Sequence, residues 1–240
     1  MLDFSILLPG VPVSSLRGAL GWGTVALIKQ KDHNILFDTG SYGDRKQLVD
    51  SLAEHNLKPD QIDILFVSHL HFDHFLNAEL FPQAKIWVSE RDLDYVLNRE
   101  FIDCEDPYVP DVMIRHMKAH LTPYRDGEEI VNGLNAISLP GHTPGTSGLL
   151  AKDGRVLFAG DAVKNLWEFD KNISPPAFFS SELAVENYKT IKEIAEIVVP
   201  GHDNPFRIKQ ESCFEYLSGY AAEIKIQTYP REDEKKIKLK

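Results

Sequence analysis

Apolar positions along the chain follow two rhythms. Nearly continuous apolar runs of strand length, WGTVALIK (22–29), HNILFD (33–38) and IDILFVS (62–68), suit strands covered on both faces. Between the second and third, DRKQLVDSLAEHNL from Asp44 places Leu48, Leu52 and Ala53 at helical spacing with Arg45, Lys46 and Glu54 facing outward, which predicts an amphipathic helix. A short helical segment to about Leu80, a strand AKIWVS and a helix SERDLDYVLN follow. LNAISL, TSGLLAK and RVLFAGD then read as strands separated by Gly, Pro or Asp turn chemistry. A helix SELAVENYKTIKEIA from Ser181 leads into a last buried strand, EIVVPGHDN, and the opening apolar run that Pro9 stops also reads as a strand.

Two stretches break the rhythm. Residues 99–128 lose periodicity and carry Pro107, Pro110 and Pro123, so an irregular insertion with one helical piece near Val112–Ala119 is expected, with Tyr108 and Tyr124 as elements of a lid. Residues 229–240 mix both charge signs and read as a solvated tail. The remainder, 1–228, is expected to form one domain. It contains an echo: ILFDTG, helix, ILFVSH in the first half and VLFAGD, helix, EIVVPGH in the second, as two similar strand-and-helix units packed sheet to sheet would produce.

Composition narrows the setting. With 240 residues, 43% of them hydrophobic, the chain can bury one substantial core. Lys and Arg number 26 against 36 Asp and Glu, a net charge of −10, which argues against a broad nucleic-acid-binding surface. No basic segment precedes the first apolar run and no stretch reaches the roughly 18 to 20 apolar residues of a membrane helix, so a cytoplasmic protein acting on a small molecule without a membrane is expected. Cys104 and Cys213 stand far apart and predict neither a disulfide framework nor a thiolate metal site.

The chemistry is concentrated in SHLHFDH (68–74). His69 and His71 lie two apart just after a strand, and extended backbone points both imidazoles the same way. Asp73 and His74 fall where the chain turns into a helix, which redirects them toward a second point. One loop can therefore serve two metal ions but completes neither, since zinc takes about four ligands. Matching candidates stand at other strand ends: His142 in LPGHTPG, Asp161 in LFAGD and His202 in VVPGHD. Five of the nine histidines fall in these motifs, and His33, His55, His116 and His120 receive no role. The donors are nitrogen and oxygen without thiolate, which suits two divalent ions, zinc first, with iron or manganese compatible.

His69-x-His71-x-Asp73-His74 followed in order by His142, Asp161 and His202 resembles the full ligand set of the metallo-β-lactamase-fold hydrolases, across essentially the whole chain. The resemblance implies an α/β fold, a four-layer αββα sandwich of two packed mixed sheets with helices outside. It implies one metal on His69, His71 and His142, another on Asp73, His74 and His202, and Asp161 bridging them. Asp38 in ILFDTG matches a position that in the family supports the site from behind the ligands. The chain departs from the family's quorum-sensing lactonases at one place, with Lys164 where they carry a tyrosine three residues after the bridging aspartate.

The expected reaction is hydrolysis of an ester, thioester, lactone or phosphoester by a bridging hydroxide, with Asp73 passing the proton onward. Two other activities occur on the same fold. An iron-dependent persulfide oxygenase would contain a single iron and consume oxygen; an RNA-processing nuclease runs against the acidic balance. Of the aromatics near the motif, Trp22, Phe72 and Phe75 are candidates for pocket walls or for core.

Overall fold

The continuous apolar runs become strands whose alternate residues enter two different cores. The computed structural model describes residues 2–16, 18–153, 155–210 and 213–217, with the backbone of 223–227 and 234–238. In β5 (His33–Phe37), Ile35 and Phe37 point to the centre of the molecule and Leu36 to the outside; in β6 (Ile64–Phe66), Ile64 and Phe66 point in and Leu65 out. The second half repeats this. In β12 (Val156–Gly160), Val156 and Phe158 face the central core and Leu157 the outer one, and in β13 (Ile197–Pro200), Ile197 and Val199 face in and Val198 out. Both faces of these strands are covered, so no polar position interrupts the run.

The first sheet has the order β1 (Asp3–Leu8), β4 (Val25–Gln30), β5, β6, β7 (Lys85–Ser89), β8 (Leu121–Tyr124), antiparallel as far as β5 and parallel from β5 onward. The short pair β2 (Ser14–Ser15) and β3 (Gly18–Ala19) forms a separate hairpin. The second sheet runs β15 (Cys213–Tyr216), β14 (Phe206–Gln210), β13, β12, β11 (Ser147–Ala151), β10 (Leu134–Ser138), β9 (Glu129–Val131), with β12 and β13 its parallel pair. Across the interface Phe37 meets Phe158 at 5.5 Å between ring centres, and Phe37 stacks on Phe66 at 5.7 Å. Helix α1 (Arg45–Glu54) sets Leu48 and Leu52 against the outer face of the first sheet, while Tyr188 and Ile191 of a long helix, Ser181–Ile194, cover that of the second. The architecture is the αββα sandwich. Among the described residues no helix is long and apolar enough to cross a membrane.

The stretch 99–128 is more regular than its prolines suggest. After α2 (Phe72–Phe75) and α3 (Glu90–Leu97) it holds α4 (Glu100–Asp103) and α5 (Asp111–Met117), then β8, which joins the sheet parallel to β7. Pro123 lies within β8, tolerated because β8 is the edge strand and need donate to one side only. Tyr124 is core, stacked on Phe66 at 4.9 Å. In the second half, α6 (Leu166–Lys171) and α7 (Ser181–Ile194) complete the outer layer. Of the expected tail, Glu234–Lys238 pairs antiparallel with Glu223–Gln227; 229–233 and 239–240 lie outside the described residues.

Candidate metal centre

The parallel strands β5, β6, β12 and β13 all end at one rim of the sandwich, where open α/β sheets place their ligands. After β6 the chain reaches His71, the residue before α2, in extended backbone with ψ 159°; Asp73 and His74 are then the second and third residues of that helix. His69 and His71 consequently face the same way with ring centres 4.6 Å apart, and His142 closes the triangle at 4.8 and 4.7 Å. The helical turn carries His74 to the other side, 5.6 Å from His202. Asp161 lies between the halves. Its Oδ2 is 3.5 Å from His142 Nε2, and its Oδ1 is 3.4 and 3.3 Å from the Nε2 atoms of His74 and His202.

Close approach of two chain turns makes this possible. Gly160 has φ +52°, and a Cβ there would sit 2.6 Å from Ser68. A Cβ on Gly201 would strike Asp161 Oδ1 itself. Glycine at these positions lets one strand end pass against Ser68 and the other against the Asp161 carboxylate.

Each imidazole is held from behind. His71 Nε2 donates to Asp106 Oδ2 at 2.8 Å, His74 Nδ1 to Asp38 Oδ2 at 2.7 Å, His142 Nδ1 to the Pro176 carbonyl and His202 Nδ1 to the Val11 carbonyl at 3.3 Å. Ser68 Oγ donates to Asp38 at 2.8 Å, so it accepts from His69 Nδ1 at 3.0 Å. With those protons placed behind, the inward nitrogens present lone pairs to one another, as His142 Nε2 and His71 Nδ1 do at 3.0 Å. Among the described residues His69 Nε2, His74 Nε2, His202 Nε2 and Asp161 Oδ1 are buried without a hydrogen-bond partner. Orphaned buried acceptors are costly unless a cation satisfies them. The donors form three close groups, each with ligand atoms within 4.8 Å of one another: His69, His71, His142; His69, His74, Asp161; and Asp73, His74, His202. These residues fit divalent metal.

The electrostatics agree. Burial, reinforced by His74, His71 and His142, holds His69 well below the usual histidine range; burial likewise takes His142 down to about 3, so both are neutral donors. Burial opposes charge on Asp161, yet His202, Lys164 and His74 hold its carboxyl well below the ordinary value. Burial also opposes a proton on His74, but Asp73, Asp38 and Asp161 surround it and keep its pKa well above the usual one.

All seven candidate ligands converge on one rim, with Asp38 behind His74 and Ser68. His116 and His120 are exposed, and His33 and His55 lie outside the ligand groups. Phe75 is core, whereas Phe72 and Tyr108 wall a cavity of about 310 Å³ over the cluster, with Pro12, Val13, Lys164, Glu168 and Phe178 among its lining residues. Lys164 is mostly buried and donates to Asp161 Oδ2 at 3.2 Å. Sequence reading missed Asp106 and Asp92. Asp92 accepts from Leu70 N at 2.6 Å, Thr143 Oγ1 at 2.6 Å and Gly145 N at 3.2 Å, stapling the His71 loop to the His142 loop. In sequence, Asp92 resembles any acid in a first helical turn and Asp106 any Asp-Pro turn, so no local signal marks them.

Residues 21–202 match the sequence model of the Metallo-beta-lactamase superfamily, a span that holds all seven candidate ligands. The chain is 30% identical to mouse Metallo-beta-lactamase domain-containing protein 1 over 87% of this chain and 76% of that one. It is 30% identical to an N-acyl homoserine lactonase of Bacillus thuringiensis over 70% of this chain and 65% of the relative, just under two thirds of that relative's length. Among solved structures, a quorum-quenching N-acyl homoserine lactone lactonase superposes with a TM-score of 0.65 at 25% identity, over 84% of this chain and 91% of that one. A hydrolase named AbOPH superposes with 0.73 at 19% identity, over 91% and 94%, a likeness of fold.

Proposed function

Because the chain belongs to the metallo-beta-lactamase superfamily, we propose that it hydrolyses a small ester, lactone or thioester at a centre of two divalent metals, zinc the expected ones. His69, His71 and His142 would hold one ion, Asp73, His74 and His202 the other, and Asp161 both. The observation that carries this reading is the pair of three-residue donor groups on either side of one buried carboxylate, under a cavity of about 310 Å³. That volume is at the small end for ligand pockets, which supports a small substrate. The lactonase relatives favour a carboxylic ester or lactone over a phosphoester.

Such metals supply Lewis acidity, lowering the pKa of bound water to about 7 and polarising a carbonyl. The side chains do the rest. Asp73 is 3.4 Å from His202 through one oxygen and lines the cavity, so it can take a proton at the reacting centre and pass it to the leaving group. Lys164 stands on the three-histidine side of Asp161, positioned for a substrate oxygen or carboxylate. Phe72, Tyr108 and Phe178 exclude water from one wall.

The test is elemental analysis of the purified chain followed by assay against aryl esters, lactones, thioesters and phosphodiesters, with His71→Ala as control. Two metals per chain and turnover of a carboxylic ester or lactone that the control lacks is the expected result. A single iron with oxygen uptake on a persulfide would overturn it, as would activity that His71→Ala leaves intact.

A further inference from the structure

The two halves of the centre differ in how they obtain negative charge. Asp73 gives the His74 and His202 half a carboxylate of its own, whereas the other half is made of three imidazoles, His69, His71 and His142, that share only Asp161. Behind the three-histidine half stands Asp106. It is 4% exposed and lies in the segment before α5, 35 residues from the ligand it touches. Its Oδ2 accepts from His71 Nε2 at 2.8 Å and from Tyr95 Oη at 3.1 Å, and its Oδ1 from Tyr108 N at 3.0 Å. Three donors fix the carboxylate, and the carboxylate fixes the ring.

We propose that Asp106 is the positioning residue of the three-histidine half, holding His71 in the tautomer that presents Nδ1 and lending that half the negative charge its ligands lack. The inference rests on the two-metal reading above. A carboxylate behind a ligating imidazole raises the donor's basicity, and removing such a partner typically costs about 10- to 100-fold in metal affinity. Here the loss falls on one site of the two. Asp92 serves as a contrast, because it touches backbone and Thr143 and no imidazole.

The full-length chain, stripped of metal, is titrated with Zn²⁺ against a competing chelator and with Co²⁺ by visible absorption, for wild type, Asp106→Ala, Asp106→Asn, Asp106→Glu and Tyr95→Phe. One site is expected to weaken about 10- to 100-fold in Asp106→Ala with altered Co²⁺ bands, while the second stays within about twofold. Asp106→Asn keeps an acceptor for His71 but no charge, and should fall between Ala and wild type; Asp106→Glu should restore part of the loss, and Tyr95→Phe should cost least. Asp106→Asn is nearly isosteric, so it carries the test if Asp106→Ala does not fold. Equal weakening of both sites, or none, overturns the assignment while leaving the two-metal reading standing. A wild-type chain that binds one ion only overturns both.

Discussion

The unit β5–α1–β6 and the unit spanning β12, α6, α7 and β13 share a plan, two parallel strands joined by helix on an outer face, yet they deliver their candidate ligands in opposite styles. The first ends in one seven-residue run that carries four donors, placed by an extended stretch followed by a helical turn. The second offers single residues: Asp161, beside Gly160, where the chain passes close to Ser68 of the first unit, and His202, beside Gly201, where it passes close to Asp161 and Gly160. Local geometry aims the first group; only contact between neighbouring chain turns aims the second. The first unit should therefore tolerate rearrangement at a distance, and the second should fail when the space between turns is filled.

Asp161→Ala tests the contrast most severely, since the carboxylate touches both halves. The proposed hydrolytic activity is expected to fall by about 10²- to 10³-fold, the scale of a lost preorganised electrostatic group, with both metals gone by elemental analysis. Next, His71→Ala and His202→Ala should each leave about one metal of the proposed two and differ in which Co²⁺ absorption band disappears. If either removes both ions, the halves are not separable.

Gly201→Ala sharpens the comparison further. A methyl there meets Asp161 Oδ1 and the Gly160 backbone, so a stability loss of about 1–3 kcal/mol in denaturant unfolding is expected, together with weaker metal binding. Gly43→Ala, in open space between β5 and α1 of the first unit, should leave metal binding unchanged. The smallest effect concerns pH. Burial lowers the pKa of His74, but Asp73, Asp38 and Asp161 raise it well above the usual histidine value, so metal competes with a proton there. Zinc affinity should consequently weaken as pH falls below the raised pKa of His74, by at most about tenfold per unit for that one proton, and level off above it. An affinity independent of pH across that range would contradict the assignment of His74 as a ligand.

Much of this was legible in the chain. The runs around Ile35–Phe37 and Val156–Phe158 became buried parallel strands because both faces of each are covered, a condition that composition reports directly. His69 and His71 converge because spacing by two in extended backbone allows little else. Pro123 misled, since a proline reads as a break until the strand that holds it is known to be an edge. Lys164 was equally ambiguous, and its burial against Asp161 depends on how the loop after β12 folds back.

By itself the sequence marked the buried strands and amphipathic helices that lead into the ligand loops and the side chains able to bind metal, because periodicity and short spacings act over a few residues; the strands β8, β9, β14 and β15, at or next to the sheet edges, it did not mark. Tertiary structure alone decided that Asp106 stands behind His71, Pro176 behind His142 and Val11 behind His202. Those partners lie 35, 34 and 191 residues from the rings they hold. Such pairings arise from how the two sheets pack and where their connecting loops close, and no local pattern of residues encodes them.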